Sequence, residues 1–324
     1  MAEDTRHADT GPAPAAEASA EPGQAGLGAL LDRTESLAAR PRTVTELPGG
    51  LTNRNYKVTT PDGTFVARLS DAGGDLLAID RDAEYRNSVA AAAAGAGAPV
   101  IEYRPQDSLL VVGYIEGRTF GNADVAAPGN LARIAQACRR LHSGPRFGND
   151  FDMFDIQRRY LSVVRSRGFR IPAGYDDLMP RFEAAAAALA VRDAGTVPCN
   201  NDLLAANFID DGEQIWIIDY EYSGNNDPCF ELGNIWGECG MSTDALAELV
   251  TSYYGKVLRN KIARARLLGV AARYGWTLWG AIQHATSSLD FDFWAWGMER
   301  YEWAAQHLTS HDFIQLLDDV QRED

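Results

Sequence analysis

The chain has 324 residues, 46% of them hydrophobic, which is enough for a large domain or two lobes with a sizeable core. Its formal net charge of −15 argues against a phosphate-backbone binder, which needs clustered Lys and Arg; it weakly favours a cationic ligand, although a merely acidic, soluble protein is the better reading of the charge alone. The four cysteines, Cys138, Cys199, Cys229 and Cys239, have neither CxxC nor zinc-ligand spacing and read as reduced, packed thiols of a cytoplasmic protein; no apolar run is long enough for membrane insertion, and the acidic amino terminus lacks a signal core.

Residues 1–25, rich in Ala, Pro, Gly and Glu, bury too little to offset their ordering entropy and are expected to form a disordered tail. Strands are expected over 44–47, 55–59 and 64–69, with Gly49-Gly50 as one turn and Pro61-Asp62-Gly63 as a hairpin turn. An alanine-rich helix over 81–94 ends at Gly95-Ala96-Gly97, and an apolar strand over 109–115 is broken at Glu116-Gly117. Beyond this the pattern is helical: 130–142, 154–168, 175–191, 243–258 and three further helices, interrupted by a hairpin over 207–218 that turns at Asp211-Gly212. The expected fold class is α+β and two-lobed: a small β-rich lobe over 26–116, a larger mainly helical lobe over 117–324, and a cleft between them.

The hairpin is bracketed by acidic and amide groups. Asp202 and Asn207 have the spacing D-x-x-x-x-N, and Asp219 ends the apolar run Ile217-Ile218. Phosphoryl transfer uses such a set: a carboxylate to orient the attacking hydroxyl, and oxygen ligands that hold magnesium against the phosphates. The spacing alone is a weak signal, since a capping Asp and a turn Asn give the same letters; an apolar strand ending in Asp one hairpin later makes it specific. Gly49 and Gly50, with Thr52 and Asn53, lie in a turn where backbone N–H groups can approach phosphates, although a glycine pair in a hairpin is usually only a turn. Arg68 on a strand and Glu84 on the next helix have the order of a kinase ion pair, or of a routine surface pair. The strand through Gly113 and Ile115 is the expected hinge, offering backbone groups to an adenine edge.

Trp276 and Trp279 share a helix face, and aromatic faces attract quaternary ammonium groups; ordinary core aromatics, Trp294 and Trp296 included, are as good a reading of the spacing. His307 and His311 stand i,i+4 on an expected helix but lack a third metal ligand, so a surface position is expected. There is neither a Walker A motif nor G-x-S-x-G, and Gly26-x-Gly28 has no strand before it.

The segments Leu47-Pro48-Gly49-Gly50-Leu51-Thr52-Asn53, Asn201-Asp202-Leu203-Leu204 with Asn207, and Ile218-Asp219-Tyr220-Glu221-Tyr222 resemble the choline/ethanolamine kinase family of the aminoglycoside-phosphotransferase and protein-kinase-like superfamily. The resemblance continues through Glu231-Leu232-Gly233-Asn234, Glu238, Trp276-Thr277-Leu278-Trp279 and Ser287-Ser288-Leu289-Asp290-Phe291, covering roughly residues 43–305. It implies ATP and Mg2+ as cofactors, an amino alcohol such as choline or ethanolamine as substrate, Asp202 as catalytic base and Asn207 and Asp219 as metal ligands. It also implies Arg68 in place of the usual Lys, Glu221, Tyr222 and Glu238 near metal or substrate, and a cation cage at Trp276 and Trp279. Where the family has His-Asn-Asp this chain has Asn200-Asn201-Asp202. Asn200 is then the residue that braces the loop, with a shorter reach than His and no charge, and activity is expected to be reduced or retuned. A kinase of another metabolite such as an aminoglycoside, and a pseudokinase binding module, remain the alternatives; the choice of alcohol and the oligomeric state stay open.

Overall fold

The computed structural model describes residues 24–70 and 76–324, so the expected tail lies almost entirely outside the described residues. The described chain begins with helix α1 (Gln24–Arg33), absent from the sequence reading, followed by strands β1 (Thr43–Leu47), β2 (Asn53–Thr60) and β3 (Gly63–Ser70). Helix α2 (Arg81–Ala93) starts on an Asp80 cap that accepts from the Ala83 amide, and β4 (Val100–Arg104) and β5 (Leu109–Gly113) complete an antiparallel sheet of order β1-β2-β3-β5-β4. Alternation divides the sheet's faces. Tyr56, Val58 and Ala67 pack with Leu30, Leu31 and Leu37 in a small core, whereas Arg68 points the other way and meets Glu84 of α2.

The second lobe starts with the short β6 (Arg118–Thr119) and α3 (Asn122–Val125), then α4 (Asn130–His142), α5 (Met153–Arg167), α6 (Met179–Ala190) and β7 (Val197–Cys199). Next come the hairpin β8 (Phe208–Asp210) and β9 (Ile215–Ile217), then β10 (Gly224–Asn226), which pairs antiparallel with β7. Helices α7 (Pro228–Glu238), α8 (Thr243–Tyr254), α9 (Arg259–Thr286), α10 (Phe293–Leu308) and α11 (Asp312–Val320) complete it. The fold class is the expected one, α+β with a β-rich amino-terminal lobe and a mainly helical remainder.

Several expected boundaries move. The helix expected over 175–191 is a 3-10 turn, Asp176–Leu178, leading into α6, where Pro180 fits the first turn. The helix expected to reach residue 258 stops at Tyr254 on Gly255, whose φ is +75°. The hinge strand stops at Gly113. His307 and His311 do not share a helix: α10 ends between them, and His307 is half-buried, bonding the Trp303 carbonyl.

Helix α9 is the spine, and glycines set its two crossings. A Cβ added at Gly233 of α7 would stand 2.1 Å from the Ala265 carbonyl oxygen, and one at Gly269 would stand 2.4 Å from that of Gly233. A Cβ at Gly280 of α9 would come within 2.9 Å of the Gly297 Cα on α10. Backbone contact at these points brings carboxylates of α7 and aromatic side chains of α9 and α10 to one place. Among the described residues no helix is long and apolar enough to cross a membrane.

Candidate active site

The loop after β7 carries the first group of residues. Asn201 sits at φ +68°, which an amide side chain tolerates better than most, and its side chain is fully used. Its Nδ2 donates to the carbonyls of Cys199, Tyr222 and Gly224 at 3.1–3.3 Å, and Asn226 Nδ2 donates to its Oδ1 at 2.9 Å. Asn200, fully buried, spans the same gap: Nδ2 donates to the carbonyls of Ile218 (3.2 Å) and Asp219 (2.6 Å), and Oδ1 accepts the Asp202 amide at 3.1 Å. The backbone N–H groups of Asn200 and Asn201 each donate to one oxygen of Glu231 at 2.8 Å. The geometry is that of a brace between the Asp202 loop and the Asp219 segment, made by an amide.

Asp202, Asn207 and Asp219 come together at the cleft. Asn207 Nδ2 donates to the Asp202 carbonyl at 2.7 Å, which leaves Oδ1 as the atom this amide presents, and the Ile218 amide donates to the Asn207 carbonyl at 3.0 Å. Asp219 lies at φ +66° and bonds Arg68. Arg68 is also 3.1 Å from Glu84 and 3.7 Å from Glu221. Against the cost of burial, Asp219, Glu84 and Glu221 push the Arg68 pKa above its ordinary value, so it is a fixed cation. Burial first, then Asp219, Glu238 and Glu221, pushes the Asp202 carboxyl well above the usual carboxylate range, with Arg300 opposing.

The small lobe closes over this set. Gly49 and Gly50 have φ near +90°, and a Cβ at Gly50 would lie 2.5 Å from the Asn53 carbonyl oxygen, so the turn needs glycine there. Thr52 Oγ1 donates to Glu221 at 2.7 Å, Asn53 Nδ2 at 2.8 Å and Arg81 Nη1 at 3.1 Å. Glu221 therefore ties the glycine turn to the segment carrying Asp219, and burial, then Asp219, raise its pKa. In the hinge, the Gly113 amide donates to the Pro99 carbonyl and the Tyr114 amide to the Thr64 carbonyl, so these two N–H groups are already used within the protein. Ile115 lies two residues beyond the strand end.

A cavity of about 150 Å³ joins these parts, bounded by the glycine turn, by Asp202, Asp219, Glu221 and Glu238, and by Tyr222, Trp276, Trp279 and Trp296. Trp279 Nε1 donates to the Tyr222 hydroxyl at 2.7 Å, and the rings of Tyr222 and Trp276 meet edge-on at 4.9 Å. Trp276 and Trp279 are buried in the core, and both also face the cavity. Trp294 is elsewhere, under the Arg170 guanidinium, whereas Trp296 belongs to the wall. The sequence reading missed Trp296, Arg300, Arg273, Arg81 and the capping role of Glu231. Only the W-x-x-x-R spacing of Trp296 and Arg300 carried a signal, and it is too common to read alone.

Residues 43–268 match the model of the Phosphotransferase enzyme family (APH). The chain belongs to this family, and within it to the choline/ethanolamine kinase family. A choline/ethanolamine kinase family protein from Mesorhizobium loti is 31% identical, with a TM-score of 0.81 over 91% of this chain and 98% of that one. Protein LicA of Haemophilus influenzae is 28% identical over 63% of this chain and 61% of that protein. Ethanolamine kinase 2 of Rattus norvegicus is 26% identical over 69% of this chain and 65% of that protein. The chain thus spans less than two thirds of the length of these last two relatives.

Proposed function

We propose that this protein transfers the terminal phosphoryl group of ATP to the hydroxyl of choline, ethanolamine or a related amino alcohol, in the cytoplasm, with Asp202 as the group that takes the hydroxyl proton. One observation carries this reading. Of the four carboxylates that bound the cavity, Asp219, Glu221 and Glu238 each have an arginine partner; among the described residues Asp202 has none. A carboxylate left unpaired beside an aromatic wall, with its affinity for a proton raised by burial and then by its acidic neighbours, is equipped to accept a hydrogen bond from an alcohol and then its proton. The loop is held just before Asp202 by Asn200 and Asn201 and at the Asp202 carbonyl by Asn207, so the carboxylate stays in place while the alcohol is positioned.

Magnesium fits the residues present, because Asn207 Oδ1 and the Asp219 carboxylate are hard oxygen donors on facing segments. When bound there it would neutralise charge on the phosphates. The backbone of Gly49, Gly50, Thr52 and Asn53, and the Arg68 cation braced by Glu84, would face the phosphates, and the segment at Ile115 the adenine. The wall of Tyr222, Trp276 and Trp279 would receive the ammonium group, each desolvated aromatic contact being worth up to about 2 kcal/mol. The buried, unpaired state of Cys138, Cys199, Cys229 and Cys239 agrees with a reducing compartment.

The test is substrate-dependent ADP release with magnesium and ATP across a panel of amino alcohols and aminoglycosides. Release with amino alcohols, abolished in Asp202→Ala and in Asp219→Ala at unchanged melting temperature, is the expected result. ATP binding without release by any alcohol sinks the reading in favour of a binding module, and release with aminoglycosides alone moves it to another substrate.

A further inference from the structure

Glu238 bounds the cavity, and its carboxylate is engaged by two arginines, Arg273 and Arg300, that do not line it. Oε2 bonds Arg300, while Oε1 is buried without a hydrogen bond, 3.6 Å from Arg273 Nε. Both arginines continue to Glu299, Arg273 at 2.8 Å and Arg300 at 3.1 Å, which makes a charge-balanced ring of two arginines and two glutamates behind the wall. The Arg300 guanidinium also stacks on Trp296, 3.4 Å from the ring centroid. Trp296 in turn packs against Trp279 with centroids 4.9 Å apart, at the place where Gly280 and Gly297 let α9 and α10 touch.

An alcohol with a primary ammonium head loses its N–H bonds to water on entering such a site and needs acceptors in return. A trimethylammonium head has no N–H to satisfy, and aromatic faces suit it. Beside the tryptophans, the carboxylate that could serve a primary ammonium is the one Arg300 engages.

We propose that Arg300 is a specificity-determining positioning residue: by holding the Glu238 carboxylate in an ion pair and fixing Trp296 in the wall, it makes the site prefer a quaternary-ammonium alcohol over a primary-ammonium one. This rests on the amino-alcohol reading above. Arg300 touches neither substrate; it decides which groups do. With its charge removed, Glu238 keeps one arginine, Arg273, and has an oxygen free for the cavity.

The test compares kcat/KM for choline and for 2-aminoethanol in the wild type, Arg300→Gln and the double variant Glu238→Gln/Arg300→Gln, with melting temperatures alongside. The wild type is expected to favour choline. Arg300→Gln should lower the choline-to-aminoethanol ratio by about tenfold, the worth of one hydrogen bond to a charged group, mainly through KM for aminoethanol. The double variant should restore the ratio, because no carboxylate remains to take up the ammonium; a purely structural role for Arg300 would lower both substrates together in both variants. A wild type that favours aminoethanol, or a folded Arg300→Gln with an unchanged ratio, overturns the proposal while leaving the amino-alcohol reading in place. Should Arg300→Gln fail to fold, the wild-type preference and the double variant decide it alone. Phosphorylation of neither alcohol by the wild type defeats the function reading, and this inference with it.

Discussion

Two carboxylates on one face of α7, Glu231 and Glu238, stand seven residues apart and are used in opposite ways. Glu231 has both oxygens taken by backbone N–H groups of the Asp202 loop and no arginine near it among the described residues; the nearest cationic candidate is His142 at 3.6 Å. Glu238 accepts no backbone N–H among the described residues and is held by two arginines, with one oxygen left unbonded. A carboxylate that terminates backbone donors shapes the chain, and removing it strands buried N–H groups that have nowhere to turn. A carboxylate held by side chains shapes a surface, and its partners can rearrange.

The largest expected effect breaks the first of these. Glu231→Ala leaves the amides of Asn200 and Asn201 buried without an acceptor and should cost about 3–5 kcal/mol of stability, as the loss of two charge-assisted hydrogen bonds. Glu238→Ala should cost less, because Glu299 still faces both arginines, and should act on KM for the alcohol. Urea unfolding of both variants checks the ordering; equal losses would erase the distinction between the two carboxylates.

A smaller effect sharpens it. Asn200→Ala removes the side-chain bonds to Ile218 and Asp219 and the acceptor for the Asp202 amide, but leaves the Asn200 amide on Glu231. We expect kcat to fall by about ten- to a hundredfold through misplacement of Asp202 and Asp219, with a stability loss of about 1–3 kcal/mol. Asn200→His tests whether the amide brace is inferior to an imidazole. A kcat unchanged in both variants would show that the Glu231 contacts alone hold the loop.

What the sequence disclosed follows the same division. Hairpin turns, the helix over residues 130–142 and the grouping of Asp202, Asn207 and Asp219 are local or nearly so, and spacing reports them. Helix α7 was not legible because every one of its residues is buried, so it has no polar face and no period to detect. Helix α1 escaped because it follows a segment of the same small-residue composition. The glycine crossings at Gly233, Gly269, Gly280 and Gly297 depend on which helices meet, and that is not written in any one segment. Arg300 and Trp296 were missed for the same reason: their partners, Glu238 and Trp279, lie on other helices.

The smallest expected effect comes from a third carboxylate, which sets the lower end of the scale. Asp210, at the end of β8, takes a two-point contact from Arg133, at 2.7 and 2.6 Å, near the surface. The Arg133 hydrogen bonds, opposed by partial burial and helped by the Gly212 amide, hold its pKa at about 2, below the ordinary 3.8 of an aspartate. The folded pKa is depressed, so the contribution is present above the unfolded value and is lost as pH falls from near 3.8 through about 2. Asp210→Asn should therefore cost about 1 kcal/mol at neutral pH, since both partners are partly solvated. The gap between variant and wild type in urea midpoint should narrow as pH drops through that window, and the ADP-release rate at neutral pH should not change. A gap independent of pH would mean that the hairpin is held by the shape of the side chain and not by its charge, and the scale from backbone-capping to surface carboxylates would lose its electrostatic basis at this end.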